Sequence, residues 1–384
     1  MCPQRAAGSR KRLGAACYTP AAEAAADASG RQGMEIGIGI DGSLALTLDE
    51  ERSLVEEAVT LGYAAAWTPS GAGSRDGFHV CGRWSLWTGG AGQCLPTGIA
   101  VVPAPLWSAA PLASQAATVG ELSGGRFVLG IGTGSLYSSA YRPMFGLPDV
   151  GAVGAMRDYL TALRGLLNGE AVTIDSPLIR LRRAQILQRP VSVPLYLAAL
   201  GPQMLRLAGR LADGVSLNWC TPEQRAWCRE QVAAGASAAG RDPAAVRITE
   251  YIRVCVDEDE DRARRGLARA VMGYALSRPG AGNDRGYRAH FGRMGFETHL
   301  QAIEAKRDSG ASEAELIDAF PPELLRAVGY YGPAAGAAAA FARPAEGLDL
   351  AIVRIVPARP GLEGARAALR ACRPDLVGAP ATAS

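Results

Sequence analysis

The sequence predicts an α/β fold, a single (β/α)8 TIM barrel with insertions. Three observations predict it. Eight apolar, strand-like segments are each followed by helical material. Glycine-rich loops come only after strands. The loop after the first strand is Asp41-Gly42-Ser43, where a doubly wound sheet, the alternative, would carry its nucleotide fingerprint.

The first strand spans 36–40, and Thr47-x-x-Glu50 is a capping box for a helix near 48–61. Strand 63–67 precedes a long second loop with Gly71, Gly73, Gly77 and the aromatics Phe78, Trp84 and Trp87. Strand 97–102 ends at Pro103-Ala104-Pro105, and a helix near 109–122 leads into strand 127–131. The helix near 153–168 stops at Asn168-Gly169. Segments 171–174 and 178–181 flank Ser176-Pro177 and read as an inserted hairpin near 171–181. Strand 194–199, helix 202–211, strand 213–217, helix 222–238, strand 246–256 and helix 258–274 follow. Region 276–320 is polar and rich in Gly and Arg, and reads as an insertion. A final helix, strand 348–356 and helix 361–372 close the barrel domain, expected over 34–378. Residues 1–33 carry Arg5, Arg10, Lys11 and Arg12 without an apolar run behind them. They read as a disordered arm, or as an upstream start codon misassigned, and not as a secretory signal.

Composition excludes several classes. The 384 residues are 48% hydrophobic and 20% charged, ordinary for a chain with a large core. A net charge of +3 is too small to suggest nucleic acid, and arginine supplies 38 of the 40 basic residues, a compositional bias. No apolar run approaches a membrane span. The eight cysteines are scattered without C-x-x-C and there are three histidines, so reduced thiols in a cytoplasmic protein are expected, with no metal site.

The most informative stretch is Ser123-Gly-Gly-Arg-Phe-Val-Leu-Gly-Ile-Gly-Thr-Gly134, a strand opening into a loop whose glycines let main-chain amides approach a flat or anionic ligand. Pro194-Leu-Tyr-Leu-Ala-Ala-Leu-Gly-Pro-Gln203 repeats the logic: a buried strand ends in small residues and Gly-Pro starts a helix. The alternative reading is that these glycines only permit tight barrel turns. Gly130-x-Gly132-x-x-Ser135 lacks the third glycine of a dinucleotide fingerprint, and Gly214-Val-Ser-Leu-Asn218 misses the nucleophile elbow of hydrolases.

These segments, with Leu61-Gly-Tyr-Ala-Ala-Ala-Trp-Thr-Pro69 and Leu211-Ala-Asp-Gly-Val215, resemble the luciferase-like flavin and deazaflavin oxidoreductases, most of all the branch using coenzyme F-420, a deazaflavin. The likeness covers about 34–356. It implies that Ile99, Ala100 and Val101 form a bulge backing the cofactor ring, which in several members contains a cis non-prolyl peptide. It places Gly132, Thr133, Gly134 and Ser138 beside the ring and ribityl chain. Ala198, Ala199, Leu200, Gly201, Pro202 and Gln203 match the phosphate cradle, in accord with the anion preference of helix N-termini.

The catalytic side departs from the family. Deazaflavin enzymes often end the second strand in an acid or histidine, and here the match is Trp67-Thr68-Pro69-Ser70. The candidates are Ser70, Asp41 (or a solvated turn residue), and His79 (or a packed loop histidine), with Tyr137 or Tyr141 as donors or pocket wall. Trp84, Trp87, Trp107 and Trp219 read as core or as walls for a flat substrate. The expected function is hydride transfer between C5 of coenzyme F-420 and a small organic substrate. An FMN-dependent monooxygenase is the alternative, and a non-catalytic carrier the third reading. A small-molecule substrate is the expected partner, with a homodimer allowed.

Overall fold

Strand β1 (Glu35–Gly39) is buried along nearly its whole length, as a strand covered on both faces must be. It pairs in parallel with β2 (Ala65–Thr68) on one side, and the run continues through β3 (Thr97–Pro103), β4 (Phe127–Gly132), β7 (Leu195–Ala198), β8 (Gly214–Asn218), β9 (Arg247–Val256) and β11 (Leu350–Ile355). Strand β11 returns to β1 with Gly37 opposite Ile352, and β8 pairs with β9, closing eight parallel strands into the expected barrel. The computed structural model describes residues 34–71, 75–90, 92–134, 141–278 and 286–377. The 1–33 arm, Ser138, Tyr137, Gly73, the side chain of Tyr141 and the tail after 377 lie outside the described residues.

The barrel interior is filled by Trp67, Tyr196, Tyr251 and Ile352. Small residues opposite make that filling fit: a Cβ on Gly98 would lie 2.5 Å from the Trp67 ring, and one on Gly214 2.5 Å from the Tyr196 ring. Strands β5 (Val172–Asp175) and β6 (Arg180–Ala184) form the expected antiparallel hairpin as a separate sheet.

Three expectations are corrected. The second loop is not an irregular insertion, because Gly77–Trp87 is a helix capped by Asp76, whose side chain accepts from the His79 amide at 3.0 Å. Gly77 and Gly82 weaken its propensity, so the segment reads as loop. Burial of Phe78, Cys81, Trp84 and Ser85 along one face outweighs that cost of about 1 kcal/mol per glycine. The region 276–320 is not merely polar. Its helices, Gly286–Phe291, Glu297–Asp308 and Glu313–Asp318, enclose a second apolar core with Phe291, Leu300, Ile303, Ile317 and Phe320. Finally, a short strand β10 (Gly329–Gly332) was not expected. Arg253 and Val254 pair with β10 and β11 at once, so β10 takes the opposite edge of β9, beyond the end of β8.

No helix among the described residues is long and apolar enough to cross a membrane. Six described cysteines are buried and free.

Candidate active site

The carboxyl ends of the strands form the mouth. At β3 the Ala100–Val101 peptide is cis, and the pairing with β4 shifts register between Ile99 and Val102. The bulge expected at 99–101 is therefore present. Ile99 itself is fully buried in the outer core, leaving half-buried Ala100 and Val101 as the bulge surface. The β4 glycines seat this bulge: a Cβ on Gly130 would stand 2.3 Å from the Ile99 carbonyl oxygen, and one on Gly132 2.8 Å from Val101 Cγ2. Gly134, at φ +52°, adopts the left-handed conformation beside Pro103. Their first role is close packing against β3, which leaves Gly132 and Ala198 as a floor without bulky side chains.

Across the next strand, helix Pro202–Leu211 starts at Gly201, and no side chain caps it. A Cβ on Gly201 would meet nothing within 4 Å. The N-cap thus leaves the first-turn amides of Gln203 and Met204 without a side-chain acceptor, and an uncapped helix start is an anion-binding arrangement. Arg293, reaching from the 276–320 insertion, places a guanidinium nitrogen 3.5 Å from the Leu200 carbonyl beside this helix start.

Asp41 and Ser70 occupy the β1 and β2 ends. The Asp41 side chain accepts from the Ser43 amide at 2.9 Å and pairs with the mostly buried Arg354 of β11, so it is no solvated turn residue. Burial pulls the Arg354 pKa down to about 10. Ser70 is buried and accepts from the Gly77 amide at 3.2 Å, pinning the start of helix 77–87. His79 is not a packed loop histidine, because it sits in the first turn of helix 77–87. Its side chain is 81% exposed and bound to Asp76 at 2.8 Å. A cleft of about 440 Å³ lies here, lined among others by Asp41, Thr68, Glu51 and Arg83, and His79 is not in its wall. Glu51 is 3% exposed. It accepts from Arg83 at 2.6 Å and from the Trp84 indole at 2.6 Å, which ties helix 77–87 to helix Leu48–Thr60.

Sequence reading missed the β8–β9 side. Arg253 projects inward from β9, 5% exposed, and stacks on Trp219 with its guanidinium carbon 3.8 Å from the ring centroid. Trp219 sits at φ +60°, a region bulky residues rarely adopt. Two groups hold that turn. Glu250, on the outer face of β9, accepts from the Cys220 amide at 2.7 Å and pairs with Arg225 at 2.9 Å, both side chains 2% exposed. Burial pushes the Glu250 carboxyl upward, against the pull of Arg225. His290, fully buried, donates from Nε2 to the Trp219 carbonyl at 2.9 Å, and burial lowers its pKa to about 4. The signal was available in part: strand alternation puts Thr249, Tyr251 and Arg253 on one face of β9, and an arginine there is unusual for a barrel interior.

A family model for luciferase-like monooxygenases matches residues 23–371. The chain belongs to that family. Among its relatives, the 5,10-methylenetetrahydromethanopterin reductase of Methanolobus tindarius is 35% identical over 170 residues, 44% of this chain and 51% of the reductase. The F-420-dependent glucose-6-phosphate dehydrogenase of Beutenbergia cavernae is 42% identical over 107 residues, 27% of this chain and 31% of that enzyme. These alignments span about half or less of the relatives' own length. Among solved structures, the coenzyme F-420-dependent tetrahydromethanopterin reductase of Methanopyrus kandleri superposes with a TM-score of 0.70 at 22% identity, over 88% of this chain and 98% of that one. The family fold is thus shared nearly end to end.

Proposed function

We propose that this family member is an oxidoreductase that binds coenzyme F-420 at the barrel mouth and moves a hydride between the cofactor's C5 and a small organic substrate. The observation that carries the reading is the uncapped helix start at Gly201, with open space before it, at the same end of the barrel as the Ala100–Val101 bulge. The names of the relatives support the cofactor. When bound, a deazaflavin supplies hydride chemistry at carbon 5, where a flavin has nitrogen and a reduced form that also reacts with oxygen.

The chain's own residues fit such a group. Amides of Gln203 and Met204 bind the anionic end, with Leu200 and Gly201 forming the approach and Arg293 beside it. Ala100 and Val101 back one ring face, while Gly132, Thr133 and Ala198 leave room along its edge. Asp41, held by Arg354, is an acid in the cleft wall and the candidate for positioning a proton on substrate, the other, Glu51, being committed to Arg83 and Trp84. Ser70 keeps a structural role through Gly77, and His79 takes no part.

The family description favours the second reading, an FMN-dependent monooxygenase using reduced flavin and oxygen. Calorimetry with both cofactors separates the two. Tighter F-420 binding with turnover under nitrogen is expected. Tighter FMN binding, or product formation that stops without oxygen, refutes the proposal. Cofactor binding with no turnover of any substrate supports a carrier.

A further inference from the structure

Two guanidinium groups are buried at the mouth, flanking the Tyr251 ring: Arg354 with its carbon 5.5 Å from the ring centroid and Arg253 at 5.8 Å. Arg354 has the Asp41 carboxylate. Among the described residues, no carboxylate stands within ion-pair distance of Arg253. Its neighbours are neutral. It donates to the Asn218 side-chain oxygen and, at 2.9 Å, to the Tyr251 carbonyl, stacks on Trp219, and has the Tyr274 ring 5.7 Å away. The nearest buried acid, Glu250, lies on the other face of the strand and is committed to Arg225.

An arginine stays charged, and an isolated buried charge is among the costliest things a fold can retain. Stacking on an indole compensates in part. On the two rings beside it, the Trp219 indole N–H and the Tyr251 hydroxyl are buried without partners. A buried guanidinium without a carboxylate, packed against two rings whose own polar atoms lack partners, calls for an acceptor from outside the chain.

Position decides which ligand supplies it. Around the barrel the order is β1, β2, β3, β4, β7, β8, β9, β11, so β9 stands diametrically opposite the β3 bulge. The bulge backs the proposed ring, and Arg253 therefore faces the side on which substrate enters. Building on the proposed function, we infer that Arg253 is the anchor of an oxyanion subsite, and that the substrate carries a carboxylate or phosphate group bound there. Asn218 holds the guanidinium and is itself held by the Tyr287 hydroxyl at 2.7 Å, so the fork is oriented before the anion arrives.

The test is a calorimetric titration of the full chain, without cofactor, using inorganic phosphate and acetate at matched ionic strength against chloride. Saturable binding of at least one oxyanion is expected. In Arg253→Met it should weaken about tenfold or more, the loss of one charged hydrogen-bond site. Arg253→Lys, which keeps the charge but not the fork, should weaken it less and covers the case in which the Met variant does not fold. Phosphate and acetate distinguish the two sources of the oxyanion. Binding retained in Arg253→Met but lost in Gly201→Val would place the anion at the helix start and overturn the inference. So would no binding of either ion. A separate F-420 titration keeps the two readings apart. If the cofactor fails to bind while oxyanions bind through Arg253, only the cofactor reading falls. If F-420 affinity drops in Arg253→Met and oxyanion binding does not, Arg253 serves the cofactor and the inference is refuted.

Discussion

Gly201→Val tests the cofactor cradle with little structural confusion. Gly201 has φ −99° and ψ 153°, extended backbone that valine adopts readily. A Cβ added there meets no protein atom within 4 Å. The fold should therefore tolerate the change, and the melting temperature should hold. What the isopropyl group does occupy is the approach to the helix start. Pro202 has no N–H, so the first-turn donors are the amides of Gln203 and Met204. A charge-assisted hydrogen bond contributes about 1.5–3 kcal/mol, so displacing a phosphodiester from one of them should raise Kd roughly 10- to 150-fold. Fluorescence titration with coenzyme F-420, with thermal unfolding in parallel, reads both quantities. An unchanged melting temperature with Kd within about twofold of the parent would refute the cradle.

Gly130→Ala is the counterpart. Its Cβ would stand 2.3 Å from a backbone oxygen of the bulge, which cannot move aside as a side-chain tip can. Overpacking of this kind costs about 1–3 kcal/mol, so the melting temperature should fall and cofactor affinity should weaken with it; an unperturbed protein would show that the bulge is not held by close packing. His290 should give the fold an acid-side pH dependence. Its folded pKa of about 4 lies below its ordinary 6.5, so the unfolded chain takes up the proton first as pH falls. The stability this neutral histidine contributes is complete above about pH 6.5 and lost as pH falls toward 4, a loss of roughly 3 kcal/mol. Denaturant unfolding across that range should show the slope, and His290→Gln, which keeps an N–H donor for Trp219, should flatten it.

The sequence by itself determined the barrel. Eight strands could be read because each is a short apolar run bounded by a capped helix or a Gly/Pro stop, signals that are local. The two segments proposed to hold the cofactor were legible for the same reason, since Gly130, Gly132 and Gly134 and the Gly201-Pro202 pair are local signals at strand ends and a helix start. Even there, the sequence does not say what presses on a glycine. Only the packed structure distinguishes Gly130, filled by the Ile99 carbonyl, from Gly201, open to a ligand. The helix at 77–87 was missed because its glycines lower a local propensity that burial of Trp84 and Phe78 overrides. The fate of the candidate side chains was also tertiary. Asp76 to His79 is a contact within one turn, yet the exposure of that turn depends on helix packing. Asp41 meets Arg354 across 313 residues, because the barrel brings its first and last strands together. Arg253 is the clearest case. Composition makes arginine common, and nothing local marks this one, but closing the barrel buries it beside Trp219 with no carboxylate among the described residues in reach. Backbone propensity is written locally, whereas the charge balance of a site is a sum over residues that only the closed fold makes neighbours.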